Sequence, residues 1–390
     1  MEYILHPKSE IDDRIKRLQS RMVDMDGAIL FHAVDMCYFS GTAQDGLVYI
    51  PRDGEPVAMM RRSMERAVQE SPLEIRPLKN MRNLKSDLNI PSKATIGLEM
   101  DVLPCSFYFR VKGALEDAKL VDVSEEIKHI RSIKSDFEIG LVKEAARILD
   151  IGIASIPNHI VEGMKEVDLM CRAEAVMRSI GHQGSLRFRR FNSIVPLGHI
   201  MSGPNASAPS FLASPTGGKG TSLIFPQGAG FRKIRRNEPV FVDMVGIYNG
   251  YIADATRIFS LGKLSAELED AFAAAVEIEE TLSGELRPGR NGRDLFDLSE
   301  AEGKRRGYHD YLGGPNGSKC GFVGHGVGLE LDEYPVLGPL DHAIERNMTI
   351  AIEPKIIYPD RGVLGIEDTF LTTENGARRL TRLPQEIWQV

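Results

Sequence analysis

Several features are scarce in this chain, and each scarcity excludes a class. Cysteine occurs only four times, at Cys37, Cys105, Cys171 and Cys320, far apart and with no C-x-x-C pair. That spacing argues against a disulfide framework and reads as reduced, buried thiols in a cytoplasmic protein. No apolar run approaches the length of a membrane span. The opening MEYILHPKSEIDDR lacks the basic-then-apolar pattern of a signal peptide. Basic residues are not in excess: the net charge of −7 argues against a nucleic-acid partner. Glycine and proline, 37 and 21 of 390 residues, fall far below collagen-like or disordered compositions. No fixed-period repeat, heptad or low-complexity tract occurs.

A length of 390 residues suggests about two domains, each with its own core. The first third alternates helix and strand patterns. Ile11, Ile15, Leu18 and Met22 recur at helical intervals, predicting a helix over 11–24. GAILFHA, GLVYIPRDGEPVAMM and ATIGLEM read as strands, with a turn at Arg52-Asp53-Gly54. This predicts an α/β domain over residues 1–132. From residue 133 a helix opens at Ser135, with Glu138 completing a capping box. A second helix is expected over 165–179. Beyond it come the strand-like stretches RFRRFNSIVP, EPVFVDMVGIYNGYIADATRIFSLG, NMTIAIEPKIIYP and GVLGIEDTFLTT, with helices near 265–284 and 292–307. Residues 133–390 therefore read as an α+β domain.

The informative residues are carboxylates inside apolar strands. Asp243 lies in PVFVDMVGI, Asp254 in YIADATRIF, Glu353 in TIAIEP and Glu367 in VLGIEDTF. A buried carboxylate must be protonated, paired or bound to a cation. Asn249-Gly250 is a two-residue hairpin signal. Closing there puts Asp243 opposite Thr256 and Asp254 opposite Val245. The two aspartates then share a face as diagonal neighbours, about 7–8 Å apart by backbone. They build half of a metal cage, to which Glu353, Glu367 and the imidazole of His325 in Gly324-His325-Gly326 add the rest. This oxygen-rich set favours Mn, with Co, Fe or Zn as alternatives. Four negative charges match two divalent ions, which together activate a water and polarise a carbonyl.

In order along the chain stand Asp243 and Asp254 with ten residues between them, Gly324-His325-Gly326-Val327-Gly328, Ile352-Glu353-Pro354 and Ile366-Glu367-Asp368. This series resembles the pita-bread metallohydrolases, the family of methionine aminopeptidase, Xaa-Pro aminopeptidase, prolidase and creatinase, and is most similar to the Xaa-Pro branch. The resemblance implies a C-terminal pita-bread domain behind a creatinase-type N-terminal domain. It implies that Asp243 chelates one metal, that Asp254 and Glu367 bridge both, and that His325 and Glu353 bind the other. Glu353 would also take the proton of the attacking water. The implied protein is a homodimeric, cytoplasmic hydrolase of small Xaa-Pro-type peptides, with no membrane or nucleic-acid partner.

The departures from that pattern are specific. Family peptidases carry a histidine after the S-G-P-N-A segment, where this chain has Ser210. A second histidine belongs in a V-H-E triplet, where this chain has Leu331-Asp332-Glu333. Lys355 replaces the usual glycine after I-E-P, and Gly365 stands where an arginine is common before I-E-D. An aspartate repels a developing oxyanion that an imidazole would hold. The alternative reading is thus a non-peptidase amidohydrolase or a lyase on the same metal site. Substitute substrate contacts are sought in His199, Ser210, Asp332, Tyr251 and Arg187, the last as part of a cationic rim in RFRRF.

Overall fold

The computed structural model describes residues 4–192, 194–212, 214–314 and 318–390. They divide into two compact units, Met1–Arg131 and Ser132–Val390.

In the first unit the expected amphipathic helix spans Lys8–Arg21 and buries Ile11, Ile15 and Leu18. A six-stranded mixed sheet runs in the order Glu74–Pro77, Val57–Met60, Gly46–Pro51, Gly27–Leu30, Thr95–Leu98, Lys119–Asp122. Gly46–Pro51 pairs antiparallel with both its neighbours, and the other three pairings are parallel. The strand expected over GAILFHA ends early, at Leu30. The Glu99 carboxylate accepts the backbone N–H groups of Phe31 and His32, and a helix, Ala33–Ser40, follows. The cysteines also depart from expectation: Cys320 is buried, but Cys105 and Cys171 are exposed.

The second unit opens with the helix Asp136–Ala154, whose capping box forms as the sequence predicts: Ser135 and Glu138 bond each other's backbone N–H. This helix lies against the long hairpin Val240–Tyr248/Tyr251–Ser260. The approach is closest at Gly246, where a Cβ would fall 2.2 Å from the Ala145 carbonyl oxygen. Asn249 and Gly250 both adopt positive φ at the turn, as a primed hairpin turn demands. The register is the one the turn predicts: Asp243 opposite Thr256, Val245 opposite Asp254. Gly198–Ser202 and Trp388–Gln389 complete a four-stranded sheet.

A second, five-stranded sheet runs Glu333–Leu337, Gly324–Gly326, Thr349–Ile352, Asp368–Thr373, Gly376–Arg379. Among the described residues of RFRRFNSIVP, 187–192 and 194–196, the expected strand does not form. That segment is tied instead by the Arg187 carbonyl, which accepts from Leu331 N–H, and by an Arg189–Glu330 ion pair. The core joins Phe241 and Ile258 of the hairpin to Ile350, Ile352, Leu364 and Ile366, and to Ala271, Ala275, Ile278 and Leu282 of the helix Ala266–Glu285.

One buried ion pair fastens the hairpin to the five-stranded sheet. Arg257, fully buried, donates to the Asp368 carboxylate at 2.7 Å and to the carbonyls of Thr256, Glu367, Leu383 and Pro384. Removing one partner of such a pair leaves an uncompensated charge. Arg257→Met is expected to lower unfolding free energy by about 3–5 kcal/mol, read as a shifted urea midpoint. An unchanged midpoint would show that the pair is dispensable.

Candidate metal centre

The site forms where two strands break together. Ile352 pairs with Asp368 in the five-stranded sheet, and Lys355 pairs with Gly365 in a separate two-stranded ribbon, Lys355–Tyr358/Gly362–Gly365. Between these pairings lie Glu353-Pro354 on one strand and Ile366-Glu367 on the other. Proline has no N–H to give a ladder, so the break falls at Pro354. Glu353 N–H bonds the Val323 carbonyl instead, and Glu367 bridges to Thr256 on the hairpin. The carboxylates of Glu353 and Glu367 thus meet those of Asp243 and Asp254. His325 enters from the neighbouring strand Gly324–Gly326, beside a register shift.

At the middle of this cluster sits a side chain whose position was not foreseen. The Lys355 ammonium donates to Glu353 Oε2 at 2.6 Å, to Asp243 Oδ2 at 3.0 Å and to Glu367 Oε2 at 3.0 Å. Its side chain is 1% exposed. Burial alone would depress this amine, but Asp243, Glu353 and Glu367 hold it well above the usual lysine range. Three of the four carboxylates expected to hold divalent ions thus share the ammonium of Lys355.

The ammonium does not satisfy the whole cluster. Asp254 Oδ1 and Glu367 Oε1 are buried without a hydrogen-bond partner. Burial, with the neighbouring carboxylates, raises Asp254 far above its ordinary range and pushes Glu367 up to about 8. Excess negative charge remains for a proton or a metal to neutralise. His325 is set up to contribute. Its Nδ1 lies 3.0 Å from the Leu331 carbonyl, 3.2 Å from the Gly326 carbonyl and 3.6 Å from Asp332 Oδ1. All three are acceptors, so Nδ1 carries the proton and Nε2 presents a lone pair. That Nε2 is 3.6 Å from Glu353 Oε1 and 3.9 Å from Glu367 Oε1. Burial would lower this imidazole, but Asp332, Glu353 and Glu367 raise it overall. Asp254, His325 and Glu367 each offer one ligand atom, all within 4.8 Å of one another, and this donor set suits a divalent ion.

A cavity of about 600 Å³, counting its open mouth, gives onto the cluster. Its lining includes all five expected ligands together with His199 and Asp332. His199 is the cross-strand partner of Asp243. Burial lowers its imidazole; Nδ1 lies 3.4 Å from Thr216 Oγ1, and Nε2 is buried without a partner. Three other candidates are placed elsewhere. Ser210 does not line the cavity, and its hydroxyl accepts from Leu212 N–H. Tyr251 is buried behind the hairpin and donates to Glu138 at 2.8 Å. Arg187 is off the lining, while its neighbours Phe188 and Arg190 are on it. Phe322, Leu212 and Ser214, not singled out in the sequence, complete part of the wall. Lys355 did carry a signal: it stands two residues beyond Glu353 where the family pattern has glycine.

Its room is made by Gly365. A Cβ there would fall 2.7 Å from Lys355 Cγ and 3.1 Å from its Cα.

Comparison with known proteins is consistent with this geometry. Residues 140–374 match the model of metallopeptidase family M24, and residues 14–133 that of the creatinase/prolidase N-terminal domain. The chain is 28% identical over 385 residues to an Xaa-Pro dipeptidase of Pyrococcus furiosus, covering 97% of this chain and 99% of that one. It is 30% identical over 293 residues to the uncharacterized peptidase YqhT of Bacillus subtilis, covering 75% and 74%. An Xaa-Pro dipeptidase structure from Bacillus anthracis superposes with a TM-score of 0.83 at 26% identity, over 97% of this chain and 100% of that one. These likenesses bear out the expected creatinase-type N-terminal domain and pita-bread catalytic domain.

Gly365→Val would drive a branched side chain into the Lys355 stem. It is expected to cost about 1–3 kcal/mol by overpacking, seen as a lowered thermal midpoint. A variant as stable as the parent would show that the stem has other room.

Proposed function

The chain belongs to metallopeptidase family M24, with a creatinase/prolidase N-terminal domain ahead of the catalytic one, and on that premise we propose that it hydrolyses the Xaa-Pro bond of small peptides in a metal-dependent reaction. The observation that carries this reading is the meeting of Asp243, Asp254, His325, Glu353 and Glu367 at one cavity. Asp254, His325 and Glu367 would hold the divalent ion, Mn first, with Co, Zn or Fe as alternatives. When bound, the ion supplies Lewis acidity to a water and to the substrate carbonyl.

The chain's own groups do the rest. Glu353 is the proton acceptor: Lys355 fixes its Oε2 at 2.6 Å, leaving Oε1 on the His325 side of the cluster. It takes a proton from the attacking water and returns it to the leaving imino nitrogen. Asp332 stands 3.6 Å from His325 Nδ1 and helps keep that ring's orientation. His199 is the substrate contact. With the Thr216 hydroxyl donating to Nδ1, Nε2–H would be the donor for a carbonyl oxygen. That assigns to His199 the work of the histidines absent at Ser210 and Asp332. Arg190 on the cavity wall supplies positive charge for a substrate carboxylate. The homodimer and the cytoplasmic setting rest on the family resemblance.

A second reading has one observation in its favour. Ser210 is turned to its own backbone and Asp332 is a carboxylate, so neither replaces a histidine in kind. A non-peptide amide or a lyase substrate would then use the same cavity.

The test is turnover of Xaa-Pro dipeptides and tripeptides by chelator-stripped protein with Mn, Co or Zn restored. Metal-dependent release of the N-terminal residue is expected, and Glu353→Gln should lower kcat by about 10²–10⁴-fold. Full activity in that variant would remove Glu353 as the base. Inert peptides beside another amide that turns over would favour the second reading. His199→Phe should lower kcat by about 10²–10³-fold, the loss seen when one oxyanion donor is removed. An unchanged kcat would take His199 out of the reaction.

A further inference from the structure

We infer that this chain holds a single divalent ion, on Asp254, His325 and Glu367, and that the Lys355 ammonium permanently takes the place of a second. The inference rests on the metal-dependent reading above but goes beyond it in the number of ions and in the role given to Lys355.

Three observations carry it. The first is occupancy. Lys355 Nζ lies 2.6–3.0 Å from oxygens of Glu353, Asp243 and Glu367. A metal bound by those oxygens would sit at about 2.0–2.2 Å from them, in the volume the ammonium already fills. Two cations in that volume would also repel each other at contact distance.

The second observation is construction. Lys355 and Gly365 are direct cross-strand partners, and the missing Cβ at 365 is what admits the lysine stem. Phe241 closes the far side, its ring 5.4 Å from Nζ. The ammonium is therefore seated in a built position rather than swung in from solvent, and its side chain is almost wholly buried.

The third is what remains. Asp254 Oδ1 and Glu367 Oε1 are the buried carboxylate oxygens of the cluster with no partner, and His325 Nε2 is free of the contacts that hold Nδ1. At this cluster these atoms form one ligand set, all within 4.8 Å of one another. Glu367 divides its oxygens accordingly, Oε2 toward Lys355 and Oε1 toward His325. One ammonium and one divalent ion together oppose three of the four carboxylate charges.

The test uses the full chain, stripped by chelator and saturated with Mn(II). Elemental analysis counts the bound ions, and electron paramagnetic resonance separates isolated from exchange-coupled Mn(II). About one ion per chain with the hyperfine pattern of an isolated ion is expected for the parent, and about two with a coupled signal for Lys355→Gly. About two ions in the parent, or none, overturns the inference, and so does a folded Lys355→Gly that still takes only one. The parent measurement stands on its own if the variant does not fold. Asp254→Asn should abolish the single ion, and an undiminished count there would overturn the assigned ligands. The two readings fail separately. A parent with two ions that cleaves Xaa-Pro peptides loses this inference and keeps the function. A parent with one ion that cleaves none loses the function and keeps the inference.

Discussion

Four carboxylates cannot share one buried pocket unless something positive shares it with them. Much of the catalytic unit answers to that constraint. Lys355 answers it directly, with one ammonium bonded to three of the acids. Asp254 is left over, with an oxygen that no group reaches. The site is thus compensated on one side and open on the other, and the open side faces the imidazole of His325.

The scaffold delivers this arrangement through interruption. An unbroken strand through Pro354 would keep Glu353 in the ladder, and an unbroken partner would do the same for Glu367. Their joint departure from the five-stranded sheet turns both carboxylates toward the hairpin that carries the aspartates. Directly behind, Arg257 and Asp368 join the same two sheets. Asp368 follows Glu367 in the chain and faces the other way, so adjacent acids serve opposite needs: one binds a structural guanidinium, the other reaches the cavity.

Much of this was legible in the sequence. The Asn249-Gly250 turn set the hairpin register and hence the shared face of Asp243 and Asp254. The capping box at Ser135 marked its helix, because both partners lie within one turn. What escaped depended on contacts distant along the chain. RFRRF alternates like a strand, yet no neighbouring edge pairs with it, and its arginines meet the loop around Glu330 and Leu331. Tyr251 stands beside the turn in sequence, but its hydroxyl reaches back to Glu138. Lys355 and Gly365 were each visible as departures. That they form one contact needs the register of the ribbon, which neither residue reveals alone.

The pairing of Lys355 with Gly365 also constrains the order in which such a site can be built from one with glycine at the first position and a larger residue at the second. Lysine gained first would collide with the side chain across the ribbon. Glycine gained first leaves only a small void. The permitted order of substitution is therefore the loss at 365 before the gain at 355. Once lysine is seated, any return at 365 is blocked by its stem. The two positions behave as a latch, each change conditional on the other, and a side chain can be placed at 365 only once the lysine has gone.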